Sequence, residues 1–146
     1  MAERLRACLA RLEPGDIPIG TVDITLYRDD ASSAMPNPRI GPSDIPVNLE
    51  GRHVLLVDDV VGTGRTVRAA LDAVLDYGRP RSVELVAVVD RGGRELPIQP
   101  NYCVQASFIS PDERVDVIDE GGRLVAVVDS TSFGAAAPGP GRRGDA

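Results

Sequence analysis

Lysine is absent from this chain. All 16 basic side chains are arginine, and 22 acidic residues outweigh them to a formal charge of −6. That balance is a poor global profile for binding a nucleic-acid backbone, although a local arginine patch stays open. Only two cysteines occur, Cys8 and Cys103, too far apart for metal-ligand spacing or a disulfide framework. A reduced, cytoplasmic setting is the expectation. No apolar run approaches the roughly 18 residues that a spanning helix needs, and the N-terminus has no apolar signal core. The reading is a soluble chain with no membrane partner. Internal repeats are missing too, and 146 residues suffice for one domain.

What is present concentrates in Val54 to Tyr77, VLLVDDVVGTGRTVRAALDAVLDY. Val54-Leu55-Leu56-Val57 lacks polar alternation, as suits a parallel strand covered on both faces. Val67, Ala70, Leu71, Val74 and Leu75 follow helical spacing, and Gly78 and Pro80 stop that helix. Between them lies Asp58 to Thr66, with Gly62, Thr63, Gly64 and Thr66 at a strand-to-helix junction. Free N–H groups and the helix dipole favour an anion there, and glycines let the main chain approach it. The spacer and lysine of a nucleoside-triphosphate loop are missing. Asp58 and Asp59 suit the vicinal hydroxyls of a sugar, so the pattern asks for a sugar phosphate.

Elsewhere, Leu5, Cys8, Leu9 and Leu12 share one face of a predicted helix over 2–13, and Ile17 to Leu26 reads as a strand. The proline-rich stretch from Tyr27 to Leu49 reads as a mobile lid, with Asp29 and Asp30 at its start. Ser82 to Val89 is a third strand, completing a parallel crossover. Glu95 to Ser110 reads as a cap over the sheet edge, and Arg114 to Ile118 with Arg123 to Val128 as a hairpin. His53 reads as a boundary residue and Cys103 as a small buried hydrophobe; Arg91 and Arg94 could reach a pyrophosphate or a neighbouring subunit, but read more simply as surface. The expected domain is 1–132, followed by a disordered tail, 133–146.

VLLVDDVVGTGRT resembles the phosphoribosyl pyrophosphate (PRPP) motif of type I phosphoribosyltransferases. Beyond it, DITLYRDD (Asp23 to Asp30), VDDVVGTGRTVRAALDA (Val57 to Ala73), DYGRPRSVELVAVVDRGGRELPI (Asp76 to Ile98) and PNYCVQ (Pro100 to Gln105) are similar to the PyrR family. That family comprises bifunctional pyrimidine-operon attenuation regulators with uracil phosphoribosyltransferase activity. The resemblance implies an α/β fold: a type I phosphoribosyltransferase-like parallel sheet with flanking helices and a C-terminal hairpin. It also implies that uracil and PRPP, with Mg²⁺ bound alongside, give UMP and pyrophosphate, in a protein that forms homo-oligomers. Asp58 and Asp59 would bind the ribose hydroxyls, while Thr63, Gly64, Arg65 and Thr66 would cradle the 5′-phosphate. Tyr102 would stack on the base, and the backbone near Cys103 would read its edge. No residue is assigned as a protein-held metal ligand.

The chain departs from that pattern in three ways. Only Met1 to Asp16 precedes the expected strand that leads into DITLYRDD, where relatives carry an earlier strand and a Thr-Arg loop that grips pyrophosphate. An N-terminally shortened fold is therefore expected, with a catalytically impaired nucleotide-binding regulator or truncated paralogue as the alternative to the enzyme. Gly62 replaces an aromatic residue of the family. Gly93, Gln99 and Gln105 stand where it has His, Arg and Lys, so RNA is a doubtful partner for this chain.

Overall fold

The computed structural model describes residues 1–25 and 43–129. Its first helix, α1 (Ala2–Leu12), ends at Glu13, whose extended backbone breaks the helical path while its N–H still donates to the Leu9 carbonyl. Residues 17–25 do not form the expected strand. They contribute a single antiparallel bridge, Thr21 to Asp44. Leu26, the lid through residue 42 and the tail 133–146 lie outside the described residues.

Three parallel strands form the sheet, in the order β1 (His53–Val61), β2 (Ser82–Asp90) and β3 (Tyr102–Ala106). β1 is longer than its apolar run suggested: it carries Asp58 and Asp59 inside the strand and ends at Val61. β3 corrects the reading of 95–110 as a cap. Five of those residues extend the sheet, pairing Val86 with Tyr102 and Ala87 with Cys103. All five are exposed. Having no buried face, β3 shows none of the alternation by which a half-buried strand is recognised.

α2 (Arg65–Leu75) crosses from β1 to β2 and buries Val67, Ala69, Ala70, Ala73 and Val74. Val67 meets Val61, Leu85 and Ala87 in the core, with Leu56, Leu71 and Ile98 packed around them. Each valine or leucine buried there contributes roughly 1.5–3 kcal/mol. Alternation along β2 sends Leu85, Ala87 and Val89 into the buried face and leaves Glu84, Val86 and Val88 on the other. The predicted hairpin is present as β4 (Arg114–Glu120) and β5 (Arg123–Asp129), paired antiparallel from Arg114–Asp129 to Glu120–Arg123. Its two-residue turn uses Gly121 and Gly122 at φ 59° and 91°, the positive angles that a tight hairpin turn demands. Arg4 of α1 donates to the Gly122 carbonyl and pairs with Asp119 at 3.3 Å, tying helix to hairpin.

Among the described residues, β1 pairs with β2 alone. On its side of the molecule a groove of about 950 Å³ runs past Leu5, Leu9, Ile17, Ile19, Leu55 and Val57. No helix among the described residues is long and apolar enough to cross a membrane.

Candidate functional site

A second cavity, about 330 Å³, opens where the carboxyl ends of β1 and β2 meet the amino end of α2. Ligand crevices of open parallel sheets lie at such strand ends. Asp58, Gly62, Thr63, Gly64 and Thr66 line one part of it, and Arg91, Gly92, Gly93, Ile109 and Pro111 another.

Gly64 sets the geometry of the loop. It takes φ +90° as the residue before α2, a left-handed conformation that costs a side-chain-bearing residue about 1–2 kcal/mol. A Cβ there would also sit 3.4 Å from both Leu96 and Ile98. The preceding residue is held from the same side, since the Thr63 carbonyl accepts from the N–H groups of Glu95 (3.0 Å) and Leu96 (3.1 Å). Thr63 Oγ1 accepts from Arg65 N–H at 3.3 Å. Gly64 at the N-cap offers no side chain, Thr63 Oγ1 engages only the first N–H, and the first turn of α2 holds no acid. Its leading N–H groups therefore present a positive end that no carboxylate of the helix neutralises.

Asp58 and Asp59 part company. Asp58 is half-buried and lines the cavity, whereas Asp59 is exposed and does not. Burial first, with the adjacent Asp59 charge adding to it, pushes the Asp58 carboxyl up to about 6 against the lowering effect of the Asp59 N–H that it accepts at 3.0 Å. Asp59 Oδ1 accepts from Val60 N–H at 2.9 Å.

Two arginines read as plain surface are part of the site's frame. Arg94 donates Nε to the Ile98 carbonyl (2.6 Å), Nη1 to the Gly62 carbonyl (2.7 Å) and Nη2 to Asp90 Oδ2 (2.7 Å). Its side chain is 19% exposed. By holding loop carbonyls on its own side, it leaves the loop's other side to the cavity. Arg91 lies across Gly62 and donates Nη2 to the Ser110 carbonyl at 2.6 Å. The sequence did carry a signal for both: DRGGRE begins at the carboxyl end of β2, next in the sheet to the end of β1.

Of the other expected site residues, Arg65 does not line the cavity; its Nε pairs with Glu95 Oε2 at 2.5 Å. Tyr102 pairs with Val86, so it lies on the sheet face opposite Leu85 and Ala87, and its hydroxyl donates to Glu84 at 2.9 Å on that same face. It is therefore across the sheet from Asp58, which pairs with Ala87. Cys103 is in register with Ala87 and Asp58 but is exposed rather than buried, and does not line the cavity.

Comparison with known proteins agrees with this arrangement. The family described as "Phosphoribosyl transferase domain" matches residues 1–112. The "Bifunctional protein PyrR 1" of Lactiplantibacillus plantarum is 50% identical over 119 residues, 80% of this chain and 66% of that protein. The "Bifunctional protein pyrR" of Enterococcus faecalis is 56% identical over 117 residues, 80% of this chain and 65% of that one. The "Bifunctional protein PyrR" of a Thermoanaerobacter species is 46% identical over 120 residues, 82% of this chain and 67% of that relative. The chain thus spans about two thirds of the length of the curated relatives it matches. A crystal structure of a hypoxanthine-guanine phosphoribosyltransferase from Bacillus anthracis shares the fold, with TM-score 0.52 at 19% identity over 69% of this chain and 59% of that one. The family match over residues 1–112, and identities of 46–56% to these relatives over 80–82% of the chain, lead to one assignment: the chain belongs to the phosphoribosyltransferase domain family, in its PyrR branch.

Proposed function

We propose that this chain binds PRPP and uracil and transfers the phosphoribosyl group to form UMP and pyrophosphate. The N1–C1′ bond forms as the C1′–O bond to pyrophosphate breaks, and the N1 proton leaves to pyrophosphate or water. The observation that carries this reading is the convergence of Asp58 with Gly62, Thr63, Gly64 and Thr66 on one cavity at the acid-free amino end of α2. The α2 N–H groups and the Thr63 and Thr66 hydroxyls hold the 5′-phosphate. Asp58 accepts from a ribose hydroxyl, with Asp59 beside it. Arg65 acts from outside the cavity, through its bond to Glu95. The base site keeps the backbone near Cys103, which shares a row with Asp58, and gives up Tyr102. Positioning and electrostatic stabilisation of the departing pyrophosphate supply the rate, with little call for proton-transfer groups.

Mg²⁺ fits as an ion carried in with PRPP. The neighbouring carboxylates of Asp58 and Asp59 suit a small hard cation that takes most of its ligands from phosphate oxygens and water. When bound, it neutralises pyrophosphate charge. The setting proposed is cytoplasmic, in keeping with the free thiols of Cys8 and Cys103, and the working form is a homo-oligomer. Pyrimidine-dependent regulation rests on the similarity to PyrR relatives, which are named bifunctional proteins. RNA stays the weaker part of it, because Gly93 and Gln105 offer no positive charge.

A second reading, ligand binding without turnover, draws on the single cation that lines the cavity among the described residues, Arg91. Calorimetric titration of PRPP and Mg²⁺ into the 146-residue chain, followed by uracil and an assay for UMP, separates the two. Binding with UMP formation is expected. Binding alone leaves a sensor, and no binding by a folded chain removes Asp58 to Thr66 as a working site.

A further inference from the structure

The phosphate loop accounts for one anionic group, yet PRPP carries anions at both ends of its ribose. The second would enter a cavity that already holds the Asp58 carboxylate, and like charges in a confined site repel. Mg²⁺ carried in with PRPP offsets part of that charge, and a basic side chain of the protein is needed to fix the group in place. Among the described residues only one basic side chain lines the cavity, Arg91. Its neighbours are committed elsewhere: Arg65 pairs with Glu95, and Arg94 is spread over Asp90 and the carbonyls of Gly62 and Ile98.

We propose that Arg91 binds the pyrophosphate group of PRPP, and that Gly62 is the residue that lets it do so. The inference rests on reading the loop as a PRPP phosphate cradle. Arg91 is anchored at its backbone, its N–H donating to the Val61 carbonyl (2.9 Å) and its carbonyl accepting from Ile109 N–H (3.1 Å). From that anchor the side chain runs past Gly62, and Nη2 donates to the Ser110 carbonyl at 2.6 Å. That leaves a guanidinium, a rigid fork of five donors, with one side-chain bond to a neutral acceptor; phosphate oxygens are the stronger partners, and the fork can engage them in pairs.

Gly62 decides whether the side chain can lie there. A Cβ at that position would stand 3.2 Å from Arg91 Cδ, 3.5 Å from Cγ and 3.9 Å from Nε. A methyl group could be met by a small shift of the arginine. A large side chain would take the space along which the arginine runs and push the guanidinium away from the cavity. Gly62 and Arg91 thus work as a pair, one supplying room and the other charge.

The test compares two ligands that divide the site: UMP, whose one phosphate belongs to the loop, and inorganic pyrophosphate with Mg²⁺. Each is titrated calorimetrically into the wild-type chain, Arg91→Gln, Arg91→Lys and Gly62→Phe, with folding followed by circular dichroism. Arg91→Gln should weaken pyrophosphate about ten-fold or more, the scale of a charge-assisted hydrogen bond, and UMP less than about two-fold. Arg91→Lys should fall between Gln and wild type, and Gly62→Phe should reproduce Arg91→Gln; if Gly62→Phe does not fold, the two Arg91 variants decide. Unchanged pyrophosphate affinity in Arg91→Gln, or equal losses for both ligands, would overturn the assignment. Wild-type chain that binds UMP but not pyrophosphate would overturn it and leave the phosphate cradle standing. Binding of neither would remove the cradle, and this role of Arg91 with it.

Discussion

A carboxyl group raised to about 6 by burial makes Asp58 the residue where stability and ligand binding pull in opposite directions. At pH 3 Asp58 is protonated whether folded or unfolded, so the raised value has no effect. Between about pH 4 and 6 the unfolded chain releases this proton before the folded one does, so stability falls as pH rises and levels off above that window. Replacing it, Asp58→Asn, should stabilise the ligand-free chain at pH 7 by about 1–2 kcal/mol, allowing for solvent screening of a half-buried group, and flatten the profile between pH 4 and 6. Urea denaturation at a series of pH values measures both; a variant no more stable than wild type at pH 7 would contradict the burial argument. Binding should run the other way if Asp58 has the proposed ribose contact: UMP affinity should rise more steeply through about pH 6 in wild type than in the variant, where only the ligand's own phosphate ionises in that window. Gly64→Ala offers a second residue-scale check. A left-handed backbone angle and two contacts at 3.4 Å predict a loss of about 1–2 kcal/mol, read as a lower denaturation midpoint with an unchanged slope. Both residues were legible because the motif that holds them is contiguous. The split between Asp58 and Asp59 was not, because it depends on which of two successive side chains the strand turns inward.

The elements repeat that division between local and distant causes. α2 announced itself by apolar spacing and by the loop that precedes it, and the hairpin by alternation around a glycine pair. β3 stayed hidden because all its residues are exposed, and 17–25 misled for the opposite reason: alternation was present, but among the described residues only Thr21 pairs, with Asp44. A strand is defined by its neighbours, and periodicity reports only its faces. Arg94 shows the same limit, since its bonds to Gly62 and Ile98 join the β1–α2 loop to the segment after β2. It is a positioning residue and nearly buried. Arg94→Ala should therefore cost about 2–3 kcal/mol, because it leaves Asp90 without its cation and two carbonyls without their donor. Asp90→Asn and the double variant complete a thermodynamic cycle, and the effects should be strongly non-additive. Strictly additive losses would mean that the ion pair contributes nothing beyond its separate hydrogen bonds.

At the scale of the whole molecule, the core formed by the described residues is thin. Its largest fully buried side chains are two valines, Val61 and Val89, while Leu55 and Tyr102 are 42% and 55% exposed on the sheet and Val104 and Phe108 more so. β1, the strand that carries the site, has ladder bonds to β2 alone among the described residues and faces the larger groove on its other side. An apolar strand with unpaired backbone groups is a template for another chain, and the area that such pairing would bury stabilises a fold with little core of its own. Self-association is the expected outcome: the mass measured by light scattering after size-exclusion chromatography should exceed the 15.5 kDa monomer and rise with protein concentration. A lysine on the strand should oppose this, because it places a charge where another apolar surface must approach. Leu55→Lys tests the point without touching Asp58 or the phosphate loop. It should shift the distribution toward monomer while UMP binding by the remaining folded protein persists. A wild-type chain that stays monomeric across the concentration range, or a Leu55→Lys variant that associates as readily as wild type, would show that the open side of β1 is not where copies of this chain meet.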